Sequence, residues 1–501
     1  MFITHPLIRE NSIEERLYQS AILNTAVGKN TLCVLPTGTG KTALAVLLSA
    51  QRLEKFGGKI LVLAPTRPLA EQHSKAFQGM LNIEKGKIVV LTGVVNPLER
   101  EIVYKEAKII AATPQTIAND LRGGRLSLAD FSLLVVDECH RGVKKYAYPT
   151  IVSAYLKQSK NPRVLGLTAS PGSTKEKIEE VCKNIGAEAV ELRTEEDMDV
   201  QPYMQETKFE VLRAELPEKM LKIQSSLKSA LRERMDKLKQ FKISVYSKTD
   251  LLLAQKRAAS GLRAGNPANF RILSLCAETL KIWHAVELLE TQSISALCLY
   301  LEKLRTQGNK AAERAMQDLK VQNAVRTAEE LRADGFESPK FILLEKLVKE
   351  NPKASIIVFS HFRDNIAAIY SALGKVEGCR PAVLVGQAGP EGQSQKEQID
   401  TIKDFTAGVY NVLVTSPVGE EGLHIPAADI AVFYEPVSSE IRTIQRRGRV
   451  GRIKAGRVFV LVNKGTRDEA NLYTAKRRER NMKEALEEVG RGLEQKSLEG
   501  F

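Results

Sequence analysis

The chain has 501 residues, 43% of them hydrophobic and 27% charged, with a net charge of +14. At about 150 residues per domain that is roughly three folding units, and the composition excludes a disordered or fibrous chain. No eighteen-residue apolar run occurs, and the six cysteines (Cys33, Cys139, Cys182, Cys276, Cys298, Cys379) include no CxxC pair. The expectation is a cytoplasmic, nucleoid-associated protein with reduced thiols and no membrane contact. The surplus of Lys and Arg favours polyanionic partners such as nucleic acid.

In chain order, apolar runs alternate with helical stretches: TLCVL at 31, KILVL at 59, KIVVL at 87, KIIAA at 108, SLLVV at 132 and RVLGL at 163. Continuous rather than alternating apolar runs belong to strands buried on both faces, so residues 1–200 are predicted to form an α/β domain around a parallel sheet. From 208 to 335 strand signals vanish and apolar residues recur at spacings of three and four, as in LKIWHAVELLETQSISALCLYLEKL from 280. That pattern predicts an inserted, all-helical domain. It holds 23 Lys and Arg against 15 Asp and Glu, with Lys237, Lys239, Lys242, Lys248, Lys256, Arg257 and Arg263 clustered around a single acid, Asp250. Such a run is either a solvated helix face or a grip on a phosphate backbone, and its place between two domains favours the grip. The α/β rhythm returns over 336–480 with SIIVF, PAVLV, YNVLV, DIAVF and RVFVL, and 481–501 reads as a charged tail with a fraying end. Trp283 lies on an apolar helical stripe and reads as core, while His284 and His424 read as core or cleft residues.

Strand TLCVL leads into Pro36, Thr37, Gly38, Thr39, Gly40, Lys41 and Thr42, after which a helix begins. Glycines there let backbone N–H groups turn around phosphate oxygens, with Lys41 reaching the outer phosphates and Thr42 ligating Mg²⁺. The full phosphate-loop pattern asks for Gly at 35, where Leu stands. Strand SLLVV ends in Asp137, Glu138, Cys139 and His140. At the carboxyl edge of a parallel sheet, Asp137 would hold the metal shell and Glu138 would deprotonate the attacking water, while Cys139 packs and His140 contacts the cleft. Charge on the reacting phosphate needs an arginine from elsewhere, and the run Gln445, Arg446, Arg447, Gly448, Arg449, Val450, Gly451, Arg452 in the second α/β domain offers Arg449 and Arg452.

Taken together, RLYQ at 16, PTGTGKT, APTR at 64, TG at 92, ATPQ at 112, DECH, TAS at 168, VGEEGL and QRRGRVGR resemble the motif series of superfamily 2 helicases. ATPQTIANDL, LTASPGST, HAVELLETQSISAL and VFYEPVSSEIRTIQRRGR are most similar to the Hef/FANCM/Mph1 branch-migrating DNA helicases, over essentially the whole chain. The resemblance implies two RecA-like domains with a thumb-like helical insertion, using ATP and Mg²⁺. It implies that Gln19 and Arg16 read adenine, that His140, Thr168, Ser170 and Gly422 couple hydrolysis to movement, and that Gln445 approaches the γ-phosphate. Strand contacts would come from Thr66, Arg67, Gly93 and Thr113, with Ser360, His361, Gly386 and Gln387 as further candidates and the basic stretch 237–263 as a grip on branched DNA. Pro417, His424 and Val450 depart from the family pattern at coupling positions, and no ERKxxxD nuclease signature occurs. The implied activity is 3′–5′ unwinding of forked or four-way DNA in fork repair, together with replication or repair proteins. Two alternatives stand beside it: a duplex-RNA translocase of the Dicer or RIG-I type, and a nucleic-acid-binding scaffold with weak ATPase.

Overall fold

A computed structural model of the chain describes residues 1–36, 38–143, 146–203, 208–264, 266–386, 392–416, 428–436 and 456–498. The first unit comprises α1 (Leu17–Gly28), β1 (Thr31–Val34), α2 (Lys41–Phe56), β2 (Lys59–Leu63), α3 (Arg67–Met80), β3 (Ile88–Leu91) and α4 (Pro97–Glu106). It continues with β4 (Ile109–Ala112), α5 (Pro114–Arg122), β5 (Phe131–Asp137), α6 (Ala147–Gln158), β6 (Val164–Thr168), α7 (Lys175–Ile185) and β7 (Ala189–Leu192). Its seven strands run parallel in the order β3-β4-β2-β5-β6-β1-β7. Both faces are covered: Leu32, Leu61 and Leu134 enter one apolar cluster, while Cys33, Val62 and Val135 enter the other. Burial on both faces explains why these strands read as unbroken apolar runs.

The helical unit follows β8 (Lys208–Ala214) with α8 (Glu218–Gln240), α9 (Lys248–Arg263), α10 (Ala268–Thr291), α11 (Ile294–Thr306), α12 (Lys310–Gln317) and α13 (Leu319–Ala333). Met220, Ile223, Leu227 and Leu231 of α8 meet Ala285, Leu289 and Val325 in one core. The second unit contains α14 (Pro339–Glu350), β9 (Ile356–Phe359), α15 (Arg363–Leu373), β10 (Pro381–Leu384), α16 (Gln395–Thr406), β11 (Val412–Thr415), β12 (Ile430–Phe433), β13 (Arg457–Asn463) and α17 (Arg467–Leu498). Its sheet, also parallel, has the order β10-β11-β9-β12-β13-β8. The expected class, two parallel-sheet α/β units with a helical unit between them, is what the structure contains.

Three differences from the sequence reading concern the boundaries. Residues 208–214, expected in the helical unit, form β8 and pair with β13 from Lys208↔Arg457 to Ala214↔Asn463. β7 likewise goes unread as a strand. Both are edge strands with half-exposed residues, so neither shows the unbroken apolar run of its inner neighbours. Third, the expected split at 480 falls inside α17, a single 32-residue helix about 48 Å long. Its Leu472 enters the core of the second unit, while Met482, Ala485, Leu486 and Val489 enter the core of the first. The helix therefore bolts the two α/β units together. No helix among the described residues is long and apolar enough to cross a membrane.

Candidate active site at the carboxyl edge of the first sheet

The loop after β1 turns through two glycines in left-handed conformations, Gly38 at φ 91° and Gly40 at φ 82°. Such angles strain any residue with a side chain, and a Cβ on Gly40 would meet Gln19 Nε2 at 2.5 Å. The loop is braced from within: Thr39 Oγ1 donates to the Pro36 carbonyl at 2.7 Å, and Lys41 Nζ donates to Leu35 O at 3.0 Å. It is also braced from α1, where Gln19 Nε2 donates to Thr39 O at 3.1 Å and the Tyr18 hydroxyl donates to the same carbonyl. Arg16 donates to the Tyr18 hydroxyl at 3.2 Å and lies 5.2 Å above the Tyr203 ring. Burial opposes the Arg16 charge, yet Tyr18 and Glu14 hold its pKa above the ordinary arginine value. Lys41 and Thr42 occupy the first turn of α2, whose N-terminus faces this loop.

β5 delivers the acids. Asp137 is 8% exposed; its Oδ1 accepts the Glu138 N–H at 3.0 Å, and its Oδ2 lies 2.7 Å from His73 Nε2 of α3. Burial pushes against ionisation of Asp137, but the histidine, the Lys41 ammonium and the Glu138 N–H together bring its pKa below the usual value. Glu138 has φ 48°, a left-handed conformation unusual outside glycine, which turns it out of the strand direction. Tyr148, wholly buried, fixes the turn by donating to the Asp137 carbonyl at 2.7 Å.

A polar chain runs from Glu138 to α17. His140 Nδ1 lies 3.3 Å from Glu138 Oε2 and 3.0 Å from Thr168 Oγ1. Thr168 Oγ1 in turn accepts the Ser170 N–H at 3.1 Å, and the Ser170 hydroxyl donates to Met482 Sδ at 3.0 Å. The structure thus brings together Arg16, Gln19, Pro36, Gly38, Thr39, Gly40, Lys41, Thr42, Asp137, Glu138, His140, Thr168 and Ser170, all named from sequence. Thr37, Gly422, Gln445, Arg449 and Arg452 lie outside the described residues, as do Gln387, Pro417, His424 and Val450.

Thr66, Gly93 and Thr113 follow β2, β3 and β4, three adjacent strands, so they share the same edge farther along the sheet. Thr66 and Thr113 stand immediately before α3 and α5, while the half-exposed Arg67 pairs with Glu71 at 2.8 Å. Ser360, offered as a strand contact, is 1% exposed and donates to Glu435 at 3.1 Å, so it faces inward. In the helical unit, Lys239 is tied to Asp236 at 2.8 Å and Lys248 to Glu287 at 2.6 Å. Lys242 and Arg257 line one cavity of about 410 Å³ between α8, α9 and α10. Trp283 joins the core there, under the Arg467 guanidinium.

Sequence reasoning missed His73, Tyr18 and Tyr148. For His73 a signal existed: Ala70, His73, Ser74 and Phe77 form the buried stripe of α3, and a histidine on an inward stripe needs a partner.

The donor set suits a nucleoside triphosphate with a divalent cation. Gln19 Oε1 is buried with no hydrogen-bond partner among the described residues, an acceptor that a purine amino group would satisfy. The glycine loop, the Lys41 ammonium and the Asp137 carboxylate supply what phosphates and a hard cation require.

Residues 16–178 match the DEAD/DEAH box helicase family, 339–454 the helicase conserved C-terminal domain, and 219–335 the family described as "Putative ATP-dependent RNA helicase, helical bundle". The crystal structure of the Pyrococcus furiosus Hef helicase domain is similar with TM-score 0.76 and 42% identity, covering 94% of this chain and 100% of that one. The chain belongs to the Hef/FANCM/Mph1 family of superfamily 2 helicases. A Methanocaldococcus jannaschii relative named "Putative ATP-dependent RNA helicase MJ1505" is 41% identical over 98% of this chain, and the Neurospora crassa ATP-dependent DNA helicase mph1 is 34% identical over 91%. This chain spans 63% of the former's length and 41% of the latter's.

Proposed function

We propose that the chain hydrolyses ATP to translocate 3′ to 5′ along DNA, acting on forked or four-way substrates. The observation that carries this reading is the series of polar contacts from Asp137 and Glu138 through His140, Thr168 and Ser170 to a helix rooted in both α/β units. Any change in the acids' surroundings on hydrolysis is then transmitted to the packing between the units. Thr42 and Asp137 would hold Mg²⁺, which when bound acts as a Lewis acid on the phosphate oxygens. Lys41 binds the outer phosphates, Gln19 accepts from the adenine amino group, and Glu138 takes the proton of the attacking water. Gln445, Arg449 and Arg452 are assigned the transition-state charge, and Gly422 a part in coupling. The edge formed by Thr66, Arg67, Gly93 and Thr113 would track one strand by its phosphates. Lys237, Lys239, Lys242, Lys256, Arg257 and Arg263 of the helical unit would hold the flanking duplex arm. Replication or repair proteins would be its partners.

A duplex-RNA translocase is the second reading, favoured by the RNA-helicase names of the helical-bundle family and of one relative. Steady-state ATPase assays with single-stranded, duplex, forked and four-way DNA, and with the matching RNAs, separate the two. The proposal expects the greatest stimulation by branched DNA. Stimulation by RNA alone would establish the second reading, and negligible turnover on every substrate would leave only a scaffold.

A further inference from the structure

A buried ion cluster joins the turns that follow β3 and β4. Asp120 of α5 is 0% exposed, and its Oδ2 accepts from Arg100 Nε of α4 at 2.6 Å and from the Tyr104 hydroxyl at 2.6 Å. Its Oδ1 accepts from Arg100 Nη2 at 2.9 Å and from Arg125 Nε at 2.9 Å. Arg100, itself 6% exposed, donates from its remaining nitrogen, Nη1, to the Val95 carbonyl. Desolvation largely offsets the Coulomb attraction within such a cluster, so stability alone is a weak reason for it. What it supplies is direction, because a planar guanidinium held along one edge fixes where its other edge points.

Val95 closes the turn 92–95: its N–H donates to the Thr92 carbonyl at 3.1 Å. Within that turn Gly93 is exposed, lies outside the left-handed region, and would meet nothing within 4 Å among the described residues if it carried a Cβ. Neither strain nor crowding asks for glycine there, and the open space suits close approach by a ligand backbone. Val94 beside it is 76% exposed, so the turn stands out from the sheet edge. On the other side, α5 begins behind Thr113, whose N–H donates to the Leu91 carbonyl at 3.2 Å. Through Arg100, the Asp120 carboxylate therefore relates the turn bearing Gly93 to the helix headed by Thr113.

We propose that Arg100, oriented by Asp120, is a positioning residue for the nucleic-acid strand: it holds the turn 92–95 where Gly93 meets the strand's backbone in register with Thr113. The inference rests on the reading of this edge as a strand contact and adds to it the residues that set its geometry. Arg100 and Asp120 are both buried, so they act through the turn and not on the strand itself.

The test titrates the ATPase of the full chain with forked DNA, with the KM for ATP and the thermal midpoint measured in parallel. Arg100→Lys keeps a cation beside Asp120 but cannot bond both carboxylate oxygens and the Val95 carbonyl at once. It should raise the DNA concentration for half-maximal stimulation severalfold, while turnover at saturating DNA and the KM for ATP stay as in the unaltered chain. Arg125→Gln removes a partner of the same carboxylate whose bonds go to Asp120 and the Asn119 carbonyl. It should lower the thermal midpoint and leave the DNA requirement unchanged. Gly93→Ala should raise that requirement by itself but add little to Arg100→Lys, because the two act on one contact. An unchanged requirement in Arg100→Lys, an equal rise in Arg125→Gln, or full additivity with Gly93→Ala would each overturn the inference and leave the translocase reading standing. Failure of every nucleic acid to stimulate the unaltered chain would instead bring down the translocase reading itself.

Discussion

Two buried carboxylates, Asp137 and Asp468, show how the same chemistry is put to different ends in the two α/β units. Asp137 ends a strand with one oxygen on a histidine and the other on a backbone N–H, in a pocket where Glu138 keeps 20% of its side chain exposed. Asp468 is sealed: it and Lys340 are both 0% exposed, and one carboxylate oxygen accepts from Lys340 Nζ at 2.8 Å and from Asn463 N–H at 3.1 Å. Around it, Lys340 also donates to Thr291 O, and Asn463 Nδ2 donates to Glu290 O. Glu290, 1% exposed, accepts from Gln224 of α8 and from the Arg467 backbone of α17. This junction ties α8 and α10 of the helical unit to α14, β13 and α17, whereas the first pocket leaves its carboxylates room to meet a ligand. Asp468, closed to solvent and held through one oxygen by Lys340 and Asn463, keeps elements in place; Asp137, beside the part-exposed Glu138, is placed to meet a ligand.

The sharpest way to break that distinction is to remove one charge of the sealed pair. Lys340→Met should cost about 3–5 kcal/mol in denaturant unfolding, while Lys340→Met with Asp468→Leu should recover most of it. The pH dependence sharpens this further. Burial, outweighing Lys340, pushes Asp468 up to about 6 from 3.8. Its folded value lies above its unfolded one, so its contribution is fully present below pH 3.8 and is lost as pH rises through about 6. Without Lys340 the carboxyl shifts higher still, so the penalty should be larger at pH 7.5 than at pH 5. A penalty that ignores pH would mean that Asp468 is not the group left stranded.

Met482→Ala is expected to cost about 2–3 kcal/mol, since it empties a buried site where α17 meets the first unit. Calorimetry should then resolve the two α/β units as separate transitions; one cooperative transition would show that other contacts suffice to unite them. On the open side of the comparison, His73→Ala should leave the midpoint of unfolding within a few degrees yet raise the magnesium needed for half-maximal ATPase about tenfold, as loss of a partner behind a metal ligand does. An unchanged magnesium requirement would reduce His73 to a packing residue. The smallest effect is expected from Ser247→Ala, which removes the cap of α9 at about 1 kcal/mol without touching hydrolysis.

Much of the candidate site was legible because its signals are local. Gly38, Gly40, Lys41 and Thr42 lie within five residues, and Asp137 and Glu138 end an apolar run that could only be an inner strand. The basic stretch was also visible, but composition could not show that Lys239 and Lys248 are already paired. What stayed hidden depends on partners far along the chain. β8 finds its neighbour about 250 residues on, His73 meets Asp137 across 64 residues, and Ser170 meets Met482 across 312. The charged tail from 481 hid its packing role because the apolar positions of its helix are spread thinly among charged ones and are divided between two cores, Leu472 in one and Met482, Ala485, Leu486 and Val489 in the other.

The most direct test of the central claim is ATP hydrolysis by the unaltered chain and by Glu138→Gln, each with and without forked DNA, with nucleotide binding measured in parallel. The account predicts strong stimulation by DNA in the former and a loss of about 10²- to 10⁴-fold in the latter with ATP still bound. Equal turnover in the two proteins would contradict it, because Glu138 would then not be the group that takes the proton from water.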